Sequence, residues 1–181
     1  EDMDTVPSPA VTGVPKVAGE PLYPSWGICQ IAITYEDQIL PICPKSFKVL
    51  RKWTYLDWCR SSSSSAPPNP YYKYQVIKVI DTSGPVLSCS PNITINTDVW
   101  KCTGTALLPS PTILQECSYV DSIYVGYKVV TTANDTLTYD GTNSNNIVKL
   151  KNGLYSISEL PLGLNWVVFR VWDACGNYTE C

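Results

Sequence analysis

The chain contains no histidine, one methionine and two phenylalanines among its 181 residues. Without imidazole, a Ser or Cys nucleophile would have to draw on Lys or a carboxylate as its base, and no G-x-S-x-G elbow is present. Zinc sites built on His or on paired C-x-x-C spacings are absent as well. No apolar stretch approaches the roughly 18 to 20 residues that span a bilayer. The start Glu1-Asp2-Met3-Asp4 lacks the basic and apolar regions of a signal peptide, which is expected of a mature or excised portion. Thirteen Lys and Arg against sixteen Asp and Glu give a net charge of -3, with no basic footprint for nucleic acid or anionic membrane. A helical period lasting three turns is also missing. No enzyme activity, catalytic residue, metal or cofactor is therefore expected. Calcium at Asp37, Asp81 or Asp121 is the minor reading, because no dense D-x-D-x-D loop occurs. Asp57 and Asp173 read as turn residues that hydrogen-bond the backbone, rather than as paired glycosidase acids.

What the chain does have is eight cysteines, fifteen prolines, twelve tyrosines and six tryptophans. Cysteine at this density with no His indicates a disulfide framework and an oxidising, extracellular or cell-surface setting. The cysteines also mark an internal repeat. Arg51-Lys52-Trp53-Thr54-Tyr55-Leu56-Asp57-Trp58-Cys59 and Val167-Val168-Phe169-Arg170-Val171-Trp172-Asp173-Ala174-Cys175 both place Asp-x-Cys after a β-rich run. Each has an upstream cysteine, so the repeat register pairs Cys29 with Cys59 and Cys117 with Cys175. Cys43, Cys89, Cys102 and Cys181 remain. Three cysteines in one module and five in the other require a bond between modules or chains, or else a free buried thiol.

Three regions follow. Residues 1–27 carry prolines at positions 7, 9, 15, 21 and 24 and are expected to form an extended arm or edge strand. Residues 28–82 form a short module with strands at 29–35, 46–56 and 71–80, its serine run Ser61 to Ser65 lying in a solvated loop. Residues 83–181 form a second module with strands at 92–96, 100–108, 122–131, 147–151, 154–158 and 165–172. Asn152-Gly153 predicts a type I′ hairpin, whose two central residues need positive φ. Many short strands separated by turn residues describe an all-β fold of two tandem Ig-like β-sandwich modules.

The second module, with Cys89-Ser90-Pro91-Asn92-Ile93-Thr94-Ile95 and the run Leu160-Pro161-Leu162-Gly163-Leu164-Asn165-Trp166 through Asp173-Ala174-Cys175-Gly176-Asn177-Tyr178-Thr179-Glu180-Cys181, resembles a hyalin-repeat (HYR-like) immunoglobulin-type domain. The first, with Thr12-Gly13-Val14-Pro15, Ile33-Thr34-Tyr35-Glu36-Asp37, Cys43-Pro44, Trp53-Thr54, Asp57-Trp58-Cys59 and Gln75 to Thr82, resembles shorter tandem repeats of large secreted surface proteins of Bacteroidota. Those repeats usually read W-T-x-x-D-x-C-G-N before a Q-x-I-x-V-x-D-T-x-x-P strand; here Arg60 and the serine run replace Gly-Asn. The resemblance implies adhesion, surface-layer or filament proteins, carries no catalytic residues, and favours a bond from Cys89 or Cys102 to Cys181.

The expected function is accordingly a structural repeat unit of an extracellular bacterial fibre, stalk or adhesin. Its partners would be other copies of itself or adjacent repeats, joined head to tail by β-strand complementation. The second module ends where the first goes on to a closing strand, and Val11, Val14 and Val17 of another copy's arm are the candidate apolar contacts of the strand that completes it. Covalent glycan is expected at one or more of Asn92, Asn134, Asn177, Thr5, Ser122, Thr136 and Ser61, Ser62, Ser63, Ser64, Ser65. The alternative function is a carbohydrate- or host-binding module that uses exposed aromatics.

Overall fold

The computed structural model describes residues 5–25, 30–59, 69–130, 136–139 and 145–181, with backbone alone at 130 and 136–139. The chain is all-β apart from one short helix and divides into two compact units, Glu1–Asp81 and Thr82–Cys181.

The first unit is built on an antiparallel sheet of β3 (Ile31–Cys43), β4 (Ser46–Asp57) and β5 (Tyr71–Val79), in that order. Cys43 pairs with Ser46 across a two-residue connection in which Pro44 precedes Lys45 at φ 65°, the sequence order of a type II turn. The central strand buries alternate residues from Val49 onward, Val49, Arg51 and Trp53, and Ser46 is buried at its start. The face bearing Val49, Arg51 and Trp53 is covered by the N-terminal residues and not by a second long sheet. These residues form helix α1 (Pro9–Thr12) and a hairpin of β1 (Lys16–Val17) and β2 (Glu20–Pro21).

The expected extended arm is therefore corrected. Pro9 starts the helix, where its missing N–H costs nothing, and Gly13 at φ 84° ends it. Ala18 (φ 51°) and Gly19 (φ 91°) both take positive φ between β1 and β2. The two-residue turn with paired positive φ thus lies here and not at Asn152-Gly153.

The second unit is a β-sandwich. One sheet runs β10 (Thr136–Tyr139), β9 (Val120–Val130), β13 (Asn165–Asp173), β14 (Tyr178–Glu180); the other runs β11 (Ile147–Lys149), β12 (Leu154–Pro161), β7 (Thr103–Pro109). Val125, Tyr127, Val129 and Phe169 from the first sheet meet Ala106, Leu108, Tyr155, Ile157 and Leu160 from the second in one buried cluster. Burial of these side chains removes apolar surface from water at about 25 cal/mol per Å². Tyr155 meets Phe169 edge to face at 5.5 Å, the arrangement that the ring quadrupoles favour. A separate pair, β6 (Val86–Ser88) and β8 (Thr112–Gln115), flanks the sandwich.

Residues 92–96, expected as a strand, form none. They run instead beside Gly104, whose missing side chain leaves room for the Asn96 carbonyl and Ile95. Asn152-Gly153 does lie between antiparallel β11 and β12, but only Gly153 has positive φ, and the turn is closed from Leu150 to Leu154. Asn152 contributes through its side chain, accepting from the Leu154 N–H at 3.1 Å.

Candidate functional site

Both Asp-x-Cys segments fold alike. Asp57 Oδ1 accepts the Cys59 N–H at 2.9 Å, and Asp173 Oδ1 accepts the Cys175 N–H at 2.8 Å. An aspartate ending a strand closes the next turn with its own carboxylate, as such residues do by mimicking a backbone carbonyl. Asp173 goes further. Its Oδ1 also takes the Asn177 N–H, and its Oδ2 takes Asn177 Nδ2, both at 2.8 Å, which lets the carboxylate stay buried.

In the second unit the cysteine pairing departs from the repeat register. Cys89 bonds Cys181 with Cα atoms 6.0 Å apart, so of the two partners that the resemblance offered, Cys89 is the one used. Cys102 and Cys117 are free and exposed. Cys175, Cys43 and Cys59 are disulfide-bonded, so the expected Cys117 to Cys175 bridge is corrected. Cys117 follows Glu116, whose Oε1 accepts from the Ser118 N–H and hydroxyl. Cys29 lies outside the described residues.

Tyr178–Glu180 pairs with β13 as β14, so the position beside β13 is taken over this length by the chain's own residues. That corrects the expectation of a second module with no closing strand. Arg170 donates from Nε and Nη2 to Glu180 Oε1, the Tyr178 ring lies 4.5 Å from Trp172, and Cys181 exchanges backbone bonds with Phe169 at 2.7 and 2.9 Å. Among the described residues the cover ends there. Asn165–Val168 continue along β13 beyond the last β14 pairing, and Val167, in phase with Phe169 and Val171, turns its N–H and C=O toward that side.

The segment that carries the proposed donor residues is anchored within its own unit. Buried Arg51 donates to the Thr12 hydroxyl and the Pro7 carbonyl, each at 2.8 Å, and Gln75 donates to the Thr12 carbonyl at 2.9 Å. Val11 and Val17 are exposed beside these anchors, and Val14 is half-buried. Beneath the hairpin lies a groove of about 580 Å³ lined by Pro15, Val17, Leu22, Trp53, Tyr55 and Tyr71, with Lys16 and Lys73 among its other walls.

Among the glycan candidates, Thr5, Asn92 and Ser122 are exposed. Asn177 spends its amide nitrogen on Asp173, so a glycan there would have to replace that bond. Thr136 begins β10, while Asn134 and Ser61 to Ser65 lie outside the described residues. Of the calcium candidates, Asp37 is committed to Arg51 at 2.7 Å, Asp81 is buried, and Asp121 is exposed at a cleft of about 630 Å³ in the second unit, where it is the sole lining carboxylate among the described residues. Comparison of the chain with family models, with curated proteins and with solved structures finds no match.

Proposed function

We propose that this chain is a structural unit of an extracellular, disulfide-stapled assembly, in which Ig-like modules of the hyalin-repeat type join by strand addition. The observation that carries it is the partly covered edge of β13. β14 and Cys181 pair with Phe169 to Trp172, and among the described residues no strand continues beside Asn165 and Val167, whose backbone groups one more strand would satisfy. A strand from another copy, or from a following repeat, would continue the line of β14 and bring its alternate side chains against Val167, which already packs on the core. Joining of this kind is head to tail and need not close, so it generates a fibre. For Val11, Val14 and Val17 to supply the strand, the bonds from Arg51 and Gln75 to the arm must first be released.

Sedimentation velocity over rising concentration, with electron microscopy of the same samples, tests the proposal. The expected result is concentration-dependent polymer that Val167→Pro abolishes while the fold survives, because that substitution removes an N–H facing the free edge rather than β9. A chain that stays monomeric throughout, or a proline variant that assembles normally, overturns it.

A second reading has its own observation. Tyr71, Tyr72 and Tyr74 are exposed within four residues of β5, and Tyr71 also lines the groove beneath the hairpin. Carbohydrate binding at this groove, with saccharide stacked on tyrosine, would be read as tyrosine fluorescence change or glycan-array signal lost in Tyr71→Ala.

A further inference from the structure

The sheet of the first unit has two unlike faces. Side chains alternate along a strand, and the face that bears Val49, Arg51 and Trp53 is the one tied to the N-terminal residues, with Gln75 of β5 on the same side bonded to Thr12. Residues one position away face the other side: Lys48 and Lys52 on β4, and Tyr72, Tyr74 and Lys78 on β5. This second face is open to water. Lys48, Tyr72 and Lys78 are exposed, and Tyr74 keeps 58% of its surface in solvent.

Charge on the open face is one-sided. Lys48 and Lys78 are direct partners in the β4–β5 register, and Lys52 stands opposite Tyr74. Glu36, the partner of Lys52 on β3, is the one acid that the three strands place on this side, because Asp37 and Asp57 share the phase of Arg51. Three cations therefore meet one anion. Among the described residues none of the three lysines forms an ion pair. Like charges set directly opposite each other weaken a ladder, so Lys48 beside Lys78 costs the free chain stability that an anion lying between them would restore. Lysine on an edge strand blocks unwanted pairing, but Lys48 and Lys52 lie on the central strand, where there is no edge to block. The net charge of -3 for the whole chain conceals this local excess.

The aromatic side chains narrow the kind of anion. The Lys52 ammonium lies 4.4 Å from the centre of the Tyr72 ring, so cation and ring form one surface, with Tyr74 across the ladder from Lys52. The π face of tyrosine takes the C–H face of a sugar ring, and an ammonium beside it takes a carboxylate. From Lys48 to Lys52 the strand advances four residues, roughly 13 Å, so the cations follow a path instead of gathering at a point. Separated cations suit a polymer whose carboxylates are carried on successive rings. Nucleic acid fits less well: among the described residues no arginine lies on this face, and the chain's overall negative charge opposes a dense phosphate backbone.

We propose that the open face of the β3–β4–β5 sheet binds an acidic polysaccharide of the uronate class, with Lys48 and Lys78 meeting one carboxylate, Lys52 another, and Tyr74 stacked on a sugar ring. The site lies on the other side of the sheet from the groove beneath the hairpin and makes no use of the β13 edge, so it stands or falls apart from both. Titration calorimetry of the full chain with a galacturonate hexamer, and with maltohexaose as a neutral chain of equal length, tests it. The galacturonate hexamer is expected to bind with an affinity that falls as salt is raised, and maltohexaose at least tenfold more weakly. Lys48→Gln with Lys78→Gln should lower the affinity at least tenfold while leaving the unfolding midpoint unchanged or raised, since it removes a repulsive pair. Tyr74→Ala should weaken binding similarly, whereas Tyr71→Ala, in the groove, and Lys101→Gln, in the second unit, should leave it intact. Failure of the wild-type chain to bind the galacturonate hexamer, equal binding of maltohexaose, or full binding by the double lysine variant overturns the proposal. Loss of binding in Tyr71→Ala but not in Tyr74→Ala also overturns it, because the sugar would then lie in the groove. Tighter binding of a thymidine hexanucleotide does the same, by assigning the face to nucleic acid.

Discussion

Arg51 and Asp37 face each other across β3 and β4, with Arg51 Nε 2.7 Å and Nη2 2.8 Å from the two Asp37 oxygens. The guanidinium is buried on the sheet face, 4.5 Å from the Tyr35 ring, and its remaining donors hold Thr12 and Pro7. A buried cation is tolerated only when such a set of partners satisfies it. The pair therefore fixes the N-terminal residues to the sheet as well as itself.

The hydrogen bond from Arg51 holds the Asp37 carboxyl below its ordinary range, with the cation's charge adding to this and partial burial opposing it. Because the folded-state value is depressed, the pair's stabilisation is complete above the ordinary carboxylate pKa of about 4 and is lost as pH falls through the depressed value. Asp37→Asn should flatten that acid limb and, by leaving a buried guanidinium without its counter-charge, cost about 3 kcal/mol at neutral pH. Urea unfolding at a series of pH values checks both. Equal acid sensitivity in wild type and variant would refute the assignment.

The two Asp-x-Cys turns should differ in weight. Asp57 is half-buried and accepts the Cys59 N–H, whereas Asp173 is buried and accepts three bonds, two of them from Asn177. Asp57→Ala should cost about 1 kcal/mol and Asp173→Ala about 3 kcal/mol, since the second strands several donors at once. Asn177→Ala should reproduce a good part of the Asp173 effect, and a double-mutant cycle should show strong coupling between them. Additive losses would mean that the two side chains act separately.

These turns also show what the sequence made legible. Asp57 and Asp173 were readable as turn residues because a carboxylate two positions before a backbone N–H needs only local geometry. Long strands such as β4, β9 and β13 announce themselves by alternation and β-branched content. The Cys117 to Cys175 pairing did not follow from the repeat, because which sulfurs meet is decided by strand order, and Cys181, at the end of β14, lies beside Cys89. The turns that hold Trp100 and Leu162 were likewise unreadable as one end of the sandwich, because the Thr103 to Pro161 pairing that sets them on the same side joins residues more than fifty apart in sequence.

Thiol chemistry separates the observed pairing from the one that the repeat suggested. In the native chain Cys102 and Cys117 should react with maleimide, while Cys43, Cys59, Cys89, Cys175 and Cys181 should be labelled only after reduction. Cys89→Ser should remove a link that closes a separation of 92 residues, worth roughly 4 to 5 kcal/mol on the chain-entropy argument. A native Cys117 that resists labelling, with peptide mapping to Cys175, would restore the repeat register.

Gly84 tests whether β14 is held as tightly as its contacts indicate. A side chain there would place its Cβ 2.6 Å from the Tyr178 carbonyl carbon and oxygen and 2.8 Å from Thr179 Oγ1. Backbone cannot swing aside as a flexible side chain can, so Gly84→Ala must push β14 outward or move residues 83–85. Displacing β14 would loosen the tilted contact of Tyr178 with Trp172, the Arg170 bond to Glu180 and the approach of Cys181 to Cys89 together. The expected cost is about 1 to 3 kcal/mol, as for other overpacked sites, accompanied by faster amide exchange at Thr179 and Cys181 than at β9. Reduction of the disulfide should also quicken in the variant, because the sulfurs lose the strand that presents them. If Gly84→Ala leaves stability, exchange and reduction unchanged, β14 is not pinned between β13 and the 83–85 segment, and the partly covered edge of β13 would extend along its whole outer side.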